Sequence, residues 1–250
     1  MATTTSINPY TGQELNSYKN QTLKEISVII DLADKRFYNW RETSFAHRKK
    51  LMLAAASELR KNKKEYAETM TLEMGKPISQ AIAEIEKCAW VCEYYAENAE
   101  KQLQNEVINT DAHKSYISFE PLGVILAIMP WNYPFWQVFR FAAPALMAGN
   151  IGVLKHASNV FGSALNIEKV FKRAGFPDNC FTTLLVGSDA VEKIIENEKI
   201  KAVTLTGSGP AGSSVASIAG RNIKKTVLEL GGNNALVVMK DCDMQKTIDT

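Results

Sequence analysis

The sequence predicts an α/β fold in which a helical N-terminal region precedes a parallel β-sheet. Apolar residues recur at helical spacing from Leu23 to about Leu103. Beyond about Val107, short apolar strands alternate with helical segments, and this alternation is typical of βαβ units and of a parallel sheet. Ligands bind such sheets beyond the carboxyl ends of the strands, so we expect the functional residues at that edge.

Length and composition are those of a folded protein with a sizeable core. The 250 residues are 46% hydrophobic and 22% charged. The 29 basic and 27 acidic residues give a net charge of +2, which is too balanced to indicate nucleic acid or an anionic membrane as the main partner. No stretch resembles a membrane span or a secretory signal, and the four cysteines fit no disulfide or zinc framework. We therefore expect a cytoplasmic protein without a metal site.

The helical region is predicted to begin with two short extended pieces around a turn at residues 8–12. Three helices follow, at residues 23–40, 45–74 and 78–103. The second helix is expected to end at the glycine and proline of Gly75-Lys76-Pro77.

The second half of the chain is predicted to alternate strands with helices. Strands are expected at residues 116–120, 124–129, 151–155, 181–186, 202–206, 226–230 and 235–239. Helices are expected at residues 136–148, 162–174, 190–196 and 210–219.

The glycine-rich run at residues 205–212, Leu-Thr-Gly-Ser-Gly-Pro-Ala-Gly, is the strongest indication of a ligand. It follows a predicted strand and opens a predicted helix, which is the context that the G-x-G-x-x-G pattern requires. Backbone N–H groups and the helix N-terminus can then face an anion. We expect phosphate contact around Gly207, Ser208, Ala211 and Gly212, and the alternative is a tight turn without a ligand.

Three polar residues at strand ends are candidates for chemistry. Glu229 ends an apolar strand, where partial desolvation would suit a general base; alternatively it caps the next turn or pairs with Lys224 or Lys225. Asn132 lies in a turn stiffened by two prolines and can donate to a developing oxyanion, or else it satisfies its own turn. Lys155 can reach a ribose or its phosphate, or else it is a surface lysine.

None of the four cysteines is a convincing nucleophile. Cys88 and Cys92 lie four residues apart on one helix face and are expected to be buried, and Cys180 enters a strand. Cys242 lies between two aspartates, which raise a thiol pKa. His156 is expected to be structural.

Several motifs, in this order along the chain, resemble the aldehyde dehydrogenase superfamily. They are Glu-Pro-Leu-Gly-Val-Ile at 120–125, Met-Pro-Trp-Asn-Tyr-Pro at 129–134, Pro-Ala-Leu-Met-Ala-Gly-Asn at 144–150, Leu-Lys at 154–155, Thr-Gly-Ser at 206–208 and Leu-Glu-Leu-Gly-Gly at 228–232. The segments 40–43, 73–77 and 154–157 further resemble the short bacterial succinate-semialdehyde dehydrogenases.

The resemblance implies oxidation of an aldehyde, expected to be succinate semialdehyde, to the carboxylic acid with NAD or NADP, through a cysteine thiohemiacetal and thioester. It matches Asn132 to the oxyanion-hole amide, Glu229 to the base that activates water, and Lys155 to the residue that holds the adenosine ribose. Further cofactor contacts are matched to Ile128, Met129, Pro130, Trp131, Gly187, Gly207, Ser208 and Leu230.

Three departures from the family pattern qualify this assignment. Ser158 stands where many NAD-preferring members have a glutamate, so a ribose phosphate is not repelled and NADP is expected to be tolerated or preferred. Gly209-Pro210 replaces the more usual threonine and acidic residue. The family's catalytic cysteine lies farther beyond the glutamate than the 250 residues extend. We therefore expect the N-terminal half of a longer enzyme, which binds NAD(P) weakly and does not turn over aldehyde by itself.

The expected organisation follows from the same resemblance. Residues 1–105 form the helical part of the cofactor domain, residues 106–120 an oligomerisation hairpin, and residues 121–250 a Rossmann-like core, with a homodimer or homotetramer for the full-length protein. An inactive NAD(P)-binding or assembly module is the alternative from another class. A CoA-acylating or phosphorylating enzyme is disfavoured, because such enzymes tend to lack a hydrolytic base like Glu229.

Overall fold

The computed structural model describes residues 2–249, which begin with an antiparallel hairpin and four helices. Strand β1 (Thr3–Ile7) pairs with β2 (Glu14–Lys19). The helices are α1 (Leu23–Trp40), α2 (Phe45–Lys61), α3 (Lys63–Met74) and α4 (Ile78–Gln102). Thr22 and Glu25 form a capping box at the start of α1, and Gly75 ends α3 with a φ of 76°, as the predicted stop signal requires.

The helix predicted at residues 45–74 is two helices, so this prediction is wrong. The break lies at Asn62, which has a φ of −110° and a ψ of 20° and donates from its side-chain amide to Glu58 at 2.7 Å. Apolar residues such as Leu59 and Tyr66 are buried on both sides of the break. The helical spacing therefore continues through it, and periodicity alone could not reveal it.

A short exposed hairpin precedes the main sheet. Strand β3 (Glu106–Val107) pairs with β4 (Tyr116–Ile117), and each strand has two residues. The strand predicted at 116–120 is therefore shorter than expected, because only two residues lie opposite it.

The centre of the structure is a parallel sheet in the order β7-β6-β5-β8-β9. Its strands are β5 (Val124–Met129), β6 (Ile151–His156), β7 (Phe181–Leu184), β8 (Ile200–Gly207) and β9 (Lys225–Leu230). The connecting helices are α5 (Trp136–Met147), α6 (Phe161–Arg173), α7 (Val191–Glu196) and α8 (Gly209–Arg221). The chain runs from β5 to β7 in one direction and then returns to β8 on the other side of β5. The gap between β5 and β8 is therefore the switch point at which parallel sheets bind ligands.

Helices cover both faces of this sheet. The strand order, together with the right-handed crossover that parallel βαβ units adopt, puts α5 and α6 on one face and α7 and α8 on the other. Helices α2, α3 and α4 pack on α5 and α6, and α1 contacts β5, β6 and β7. The largest fully buried side chains include Trp40, Phe135, Phe139 and Phe171. On the face of α5, the part of the sheet formed by β8 and β9 stays open.

The strand predicted at residues 235–239 is not formed. Within the described residues β9 pairs only with β8, and the segment from Leu236 to Met239 is exposed and has no strand partner. An apolar run without a neighbouring strand has nothing to receive its backbone hydrogen bonds. Helix α9 (Met244–Ile248) follows, capped by Asp243. The other predicted strands and helices of the sheet region are confirmed to within two residues at each end.

No helix among residues 2–249 has the length and apolarity that crossing a membrane requires.

Candidate active site

A cleft of about 430 Å³ opens at the carboxyl ends of β5, β8 and β9. Its walls are residues 130–132 after β5, residues 206–208 at the end of β8, residues 229–231 at the end of β9, and Gln137 and Arg140 of α5. We call it the rim cleft. It lies at the switch point of the sheet and brings Asn132, Ser208 and Glu229 together.

Asn132 lies exposed in the loop between β5 and α5. Its Oδ1 accepts the backbone N–H of Tyr133 at 3.1 Å. Its Nδ2 makes no hydrogen bond within residues 2–249, so the donor half of this amide is available to the cleft. The turn thus uses the oxygen of the Asn132 amide as an acceptor. The NH2 group of the same amide remains free to donate a hydrogen bond to an oxyanion.

Glu229 pairs with Arg140 rather than with Lys224 or Lys225. Nη1 of Arg140 lies 3.8 Å from Oε2 of Glu229, and Nη2 of Arg140 donates to the Thr206 hydroxyl at 3.4 Å. The Glu229 side chain is 55% exposed. The sequence led us to expect a partly desolvated Glu229 carboxylate. Among residues 2–249 its side chain stays exposed instead, because Glu229 lies on an edge strand beside the open part of the sheet.

Gln137 and Arg140 are site residues that the sequence analysis missed. They are the two polar side chains of an otherwise apolar α5, three residues apart and so on one face of the helix. Oε1 of Gln137 is buried and has no hydrogen-bond partner within residues 2–249. Both residues also line an apolar cleft of about 480 Å³ between α5 and the open part of the sheet. The sequence does indicate these two residues, since they are polar side chains in an apolar helix that begins shortly after Asn132.

The glycine-rich run forms the turn between β8 and α8, as predicted. Ser208 is the N-cap of α8, and its Oγ accepts the N–H of Ala211 at 3.4 Å. Gly209 has open space around its Cα. Gly212 does not line the cleft, and a Cβ at this position would lie 2.5 Å from Cδ2 of Leu230. Its place in the pattern is therefore explained by close packing of helix on strand.

Two of the three long helices that start at this edge already hold a carboxylate at their N-termini. Oε1 of Glu84 accepts the N–H groups of Phe135 and Trp136 at the start of α5. Glu73 accepts the N–H groups of Gly162 and Ser163 at the start of α6. The first turn of α8 is exposed and has no acidic side chain. A phosphate therefore fits at α8 and not at α5 or α6, since helix N-termini favour anions.

Lys155, Ser158 and Gly187 lie along the same edge but outside the rim cleft, at the ends of β6 and β7. Burial lowers the pKa of Lys155, and the charge of Asp189 opposes that shift. Lys155 is thus a half-buried lysine rather than a solvated one. Ser158 is exposed, and Gly187 lines a separate cavity of about 140 Å³ together with Asp189.

The remaining predicted contacts lie at the carboxyl ends of β5 and β9. Pro130, Trp131 and Leu230 line the rim cleft, and Trp131 is exposed. Ile128 is partly buried, and Met129 is buried and lines the apolar cleft instead.

None of the four cysteines lines the rim cleft. Cys88 and Cys92 are buried, and burial raises the pKa of each thiol. Burial also raises the pKa of Cys180 to about 12, and Cys242 is partly exposed beyond β9. Among residues 2–249 no three potential metal ligands lie together.

A family model described as the aldehyde dehydrogenase family matches residues 2–250. The chain belongs to the aldehyde dehydrogenase family. The family resemblance of the motifs and the predicted fold class are thereby confirmed, and the fold matches about half of the chain in solved aldehyde dehydrogenases.

Curated relatives of this aldehyde dehydrogenase chain include a probable succinate-semialdehyde dehydrogenase [NADP(+)] of Synechocystis sp. It is 52% identical over 243 residues, which are 97% of this chain and 54% of that protein. Succinate-semialdehyde dehydrogenase [NADP(+)] 1 of Mycobacterium tuberculosis is 50% identical over 248 residues, which are 98% of this chain and 54% of that protein. This chain therefore spans about half the length of the curated relatives it matches.

Solved structures share the fold of this chain. The succinic semialdehyde dehydrogenase of Streptococcus pyogenes, solved in complex with NADP+, matches with a TM-score of 0.94 and 36% identity. The match covers 97% of this chain and 54% of that one. A structure of Gox0499 matches with a TM-score of 0.96 and 36% identity, over 100% of this chain and 55% of that one.

Proposed function

We propose that this chain is the cofactor-binding part of an NADP-dependent aldehyde dehydrogenase that oxidises succinate semialdehyde to the carboxylic acid. The observation that carries the proposal is the rim cleft, in which a free amide donor, a carboxylate and an open helix N-terminus meet at one sheet edge. The names of the relatives support the substrate and the cofactor.

The residues present fit a dinucleotide. The first turn of α8, which is exposed and has no acidic side chain, would hold the pyrophosphate together with Gly207 and Ser208. Lys155 and Ser158 would hold the adenosine ribose, and no carboxylate at position 158 repels a 2′-phosphate. The nicotinamide end would lie between residues 130–131 and Leu230. When bound, the cofactor supplies a hydride acceptor.

The catalytic roles follow from where each side chain lies. Nδ2 of Asn132 donates to the substrate oxygen on which negative charge develops, and an amide fixed in advance stabilises that charge. The carboxylate of Glu229 takes a proton from the water that hydrolyses the thioester. Arg140 holds that carboxylate on the side of the sheet where α5 and Asn132 lie.

The nucleophile is proposed to be a cysteine other than the four of this chain. Three of the four are buried with raised thiol pKa, which disfavours the reactive thiolate. The fourth, Cys242, lies outside the rim cleft.

We also propose that residues 1–105 and 121–250 form one cofactor domain and that residues 106–120 mediate oligomerisation. The hairpin of β3 and β4 supports this, since its apolar side chains, which include Val107 and Ile117, are exposed.

The test is an NADPH assay on the complete protein that contains this sequence. Succinate semialdehyde is expected to reduce NADP+ to NADPH and, more slowly, NAD+ to NADH. Butanal is expected to be a poorer substrate because it lacks the carboxylate. The 250-residue chain by itself is the control and is expected to give none. Absence of NADPH and NADH formation with either aldehyde would support the inactive binding module instead.

A further inference from the structure

A buried ion pair lies beneath the loop that carries Asn132. Nζ of Lys76, in the turn after α3, contacts Oε2 of Glu84 on α4, and the two side chains are 7% and 2% exposed. We infer that Glu84, with the help of Lys76, is a positioning residue for Asn132. This inference rests on the proposed role of Asn132 as the oxyanion donor.

Glu84 fixes the start of α5. One carboxylate oxygen, Oε1, accepts the backbone N–H groups of Phe135 and Trp136, each at 2.9 Å. The first N–H groups of a helix have no partner within the helix, and these two belong to a buried and a half-buried residue. Glu84 therefore provides the acceptor that this helix start needs, and it does so three residues after Asn132.

Lys76 holds the residue next to Asn132. Its ammonium lies 3.7 Å from the centre of the Tyr133 ring, within the range of a cation–π contact. Lys76 thus contacts both the Glu84 carboxylate and the Tyr133 ring. It thereby connects Tyr133 to the carboxylate that accepts the N–H groups of residues 135 and 136.

His156 completes the anchoring of the loop. Its Nδ1 accepts the N–H of Ala157, so Nε2 carries the proton and donates to the carbonyl of Pro134 at 2.9 Å. Residues 133–136 are therefore each held by a side chain from outside the loop. Asn132 is the first residue before this anchored segment, so the direction of its amide depends on the anchor.

The Lys76–Glu84 pair is better explained by the hydrogen-bond acceptor that Glu84 provides than by a contribution to folding stability. A buried ion pair can be replaced by apolar side chains of similar volume with little loss of stability, whereas an apolar pair cannot accept two N–H groups. A catalytic donor displaced by a small distance loses much of its effect. We therefore expect loss of the acceptor to lower kcat while cofactor binding stays intact.

The test compares two double variants of the complete protein, K76M/E84Q and K76M/E84L. Both remove the two buried charges together, so neither charge is left unpaired. Gln keeps an acceptor for the N–H groups of Phe135 and Trp136, and Leu does not. We expect K76M/E84L to lose at least about tenfold in kcat relative to K76M/E84Q, with KM for NADP+ within about twofold. Equal kcat values in the two variants would overturn the inference.

A milder variant decides the question if K76M/E84L does not fold. E84D keeps the negative charge, but its side chain is one methylene shorter, so the carboxylate lies farther from the N–H groups of Phe135 and Trp136. We expect kcat to fall several-fold with KM for NADP+ unchanged. The matched control is E58D, because Glu58 also accepts side-chain hydrogen bonds, from Tyr66 and Arg173, but lies away from the rim cleft. An E84D kcat equal to that of E58D would contradict the inference.

N132A separates this inference from the proposed function. If N132A keeps full activity, the role of Asn132 itself is wrong. If N132A is inactive while E84D and K76M/E84L match their controls, Asn132 is catalytic and only its dependence on Glu84 is wrong.

Discussion

Nη1 of Arg140 lies 3.8 Å from the carboxylate of Glu229, across the gap between α5 and β9. The same guanidinium reaches the Thr206 hydroxyl of β8. Arg140 thus links the helix that follows Asn132 to the two strands that form the other wall of the rim cleft. This contact joins the proposed base to the helix that follows the proposed oxyanion donor.

The first prediction concerns this pair. Both side chains are more than one-third exposed, so R140M is expected to cost less than about 1 kcal/mol of unfolding free energy. In the complete protein, kcat is expected to fall several-fold, because Glu229 loses the group that orients it. R173M is the control, since Arg173 pairs with Glu58 outside the cleft and its side chain is as exposed as that of Arg140. A kcat of R140M equal to that of R173M would remove Arg140 from the site.

The second prediction concerns cofactor choice. A glutamate at position 158 would place a carboxylate beside Lys155, where it repels a 2′-phosphate and accepts from ribose hydroxyls. S158E is expected to lower kcat/KM for NADP+ at least about tenfold and to leave kcat/KM for NAD+ equal or higher. S158A, measured in parallel, is expected to keep the preference for NADP+. An S158E enzyme that still prefers NADP+ as strongly as S158A would contradict the placement of Ser158.

The third prediction concerns the pH dependence of stability. Burial lowers the pKa of His156 from 6.5 to about 4. Between those two values the unfolded chain holds a proton on this imidazole and the folded chain does not, so unfolding free energy falls as pH falls from 6.5 toward 4. With about 1.4 kcal/mol per pKa unit, the loss across that window is about 3 kcal/mol.

The measurement is urea unfolding at pH 4.5 and pH 7 for the wild type and H156Q. Gln keeps a donor for the carbonyl of Pro134 but does not titrate in this window. The wild type is expected to lose more stability than H156Q on acidification, and an equal loss would show that His156 does not remain neutral in the folded chain.

The fourth prediction concerns Cys242. Since this thiol lies outside the rim cleft, C242S is expected to keep kcat within about twofold of the wild type in the complete protein. Iodoacetamide is expected to inactivate C242S as it does the wild type, because the thiol it must reach lies elsewhere. Loss of NADPH formation in C242S would instead make Cys242 the nucleophile.

Much of the fold follows from local patterns in the sequence. The continuous apolar run of β5 and the Gly75 stop after α3 are examples in which the residues alone decide the structure. The break at Asn62 could not be predicted, because buried residues keep their helical spacing on both sides of it. The strand expected at 235–239 failed for a non-local reason, since a strand needs a neighbour that local sequence does not show.

The site was predictable where residues follow strand ends. Asn132, Ser208 and Glu229 meet because parallel strands end at a common edge. The exposure of Glu229 and its contact with Arg140 depend on how α5 packs against β8 and β9. Likewise, the carboxylate of Glu84 reaches the start of α5 from a helix some fifty residues earlier in the chain, and no spacing within the motif indicates it.

The rim cleft is proposed to use Asn132 as oxyanion donor and Glu229 as base. The most direct measurement is steady-state NADPH formation from succinate semialdehyde by the complete protein and its N132A and E229Q variants, with NADPH binding measured alongside. Each variant is expected to lose at least about 100-fold in kcat while it binds NADPH as the wild type does. A variant that keeps kcat within about twofold of the wild type would contradict the account.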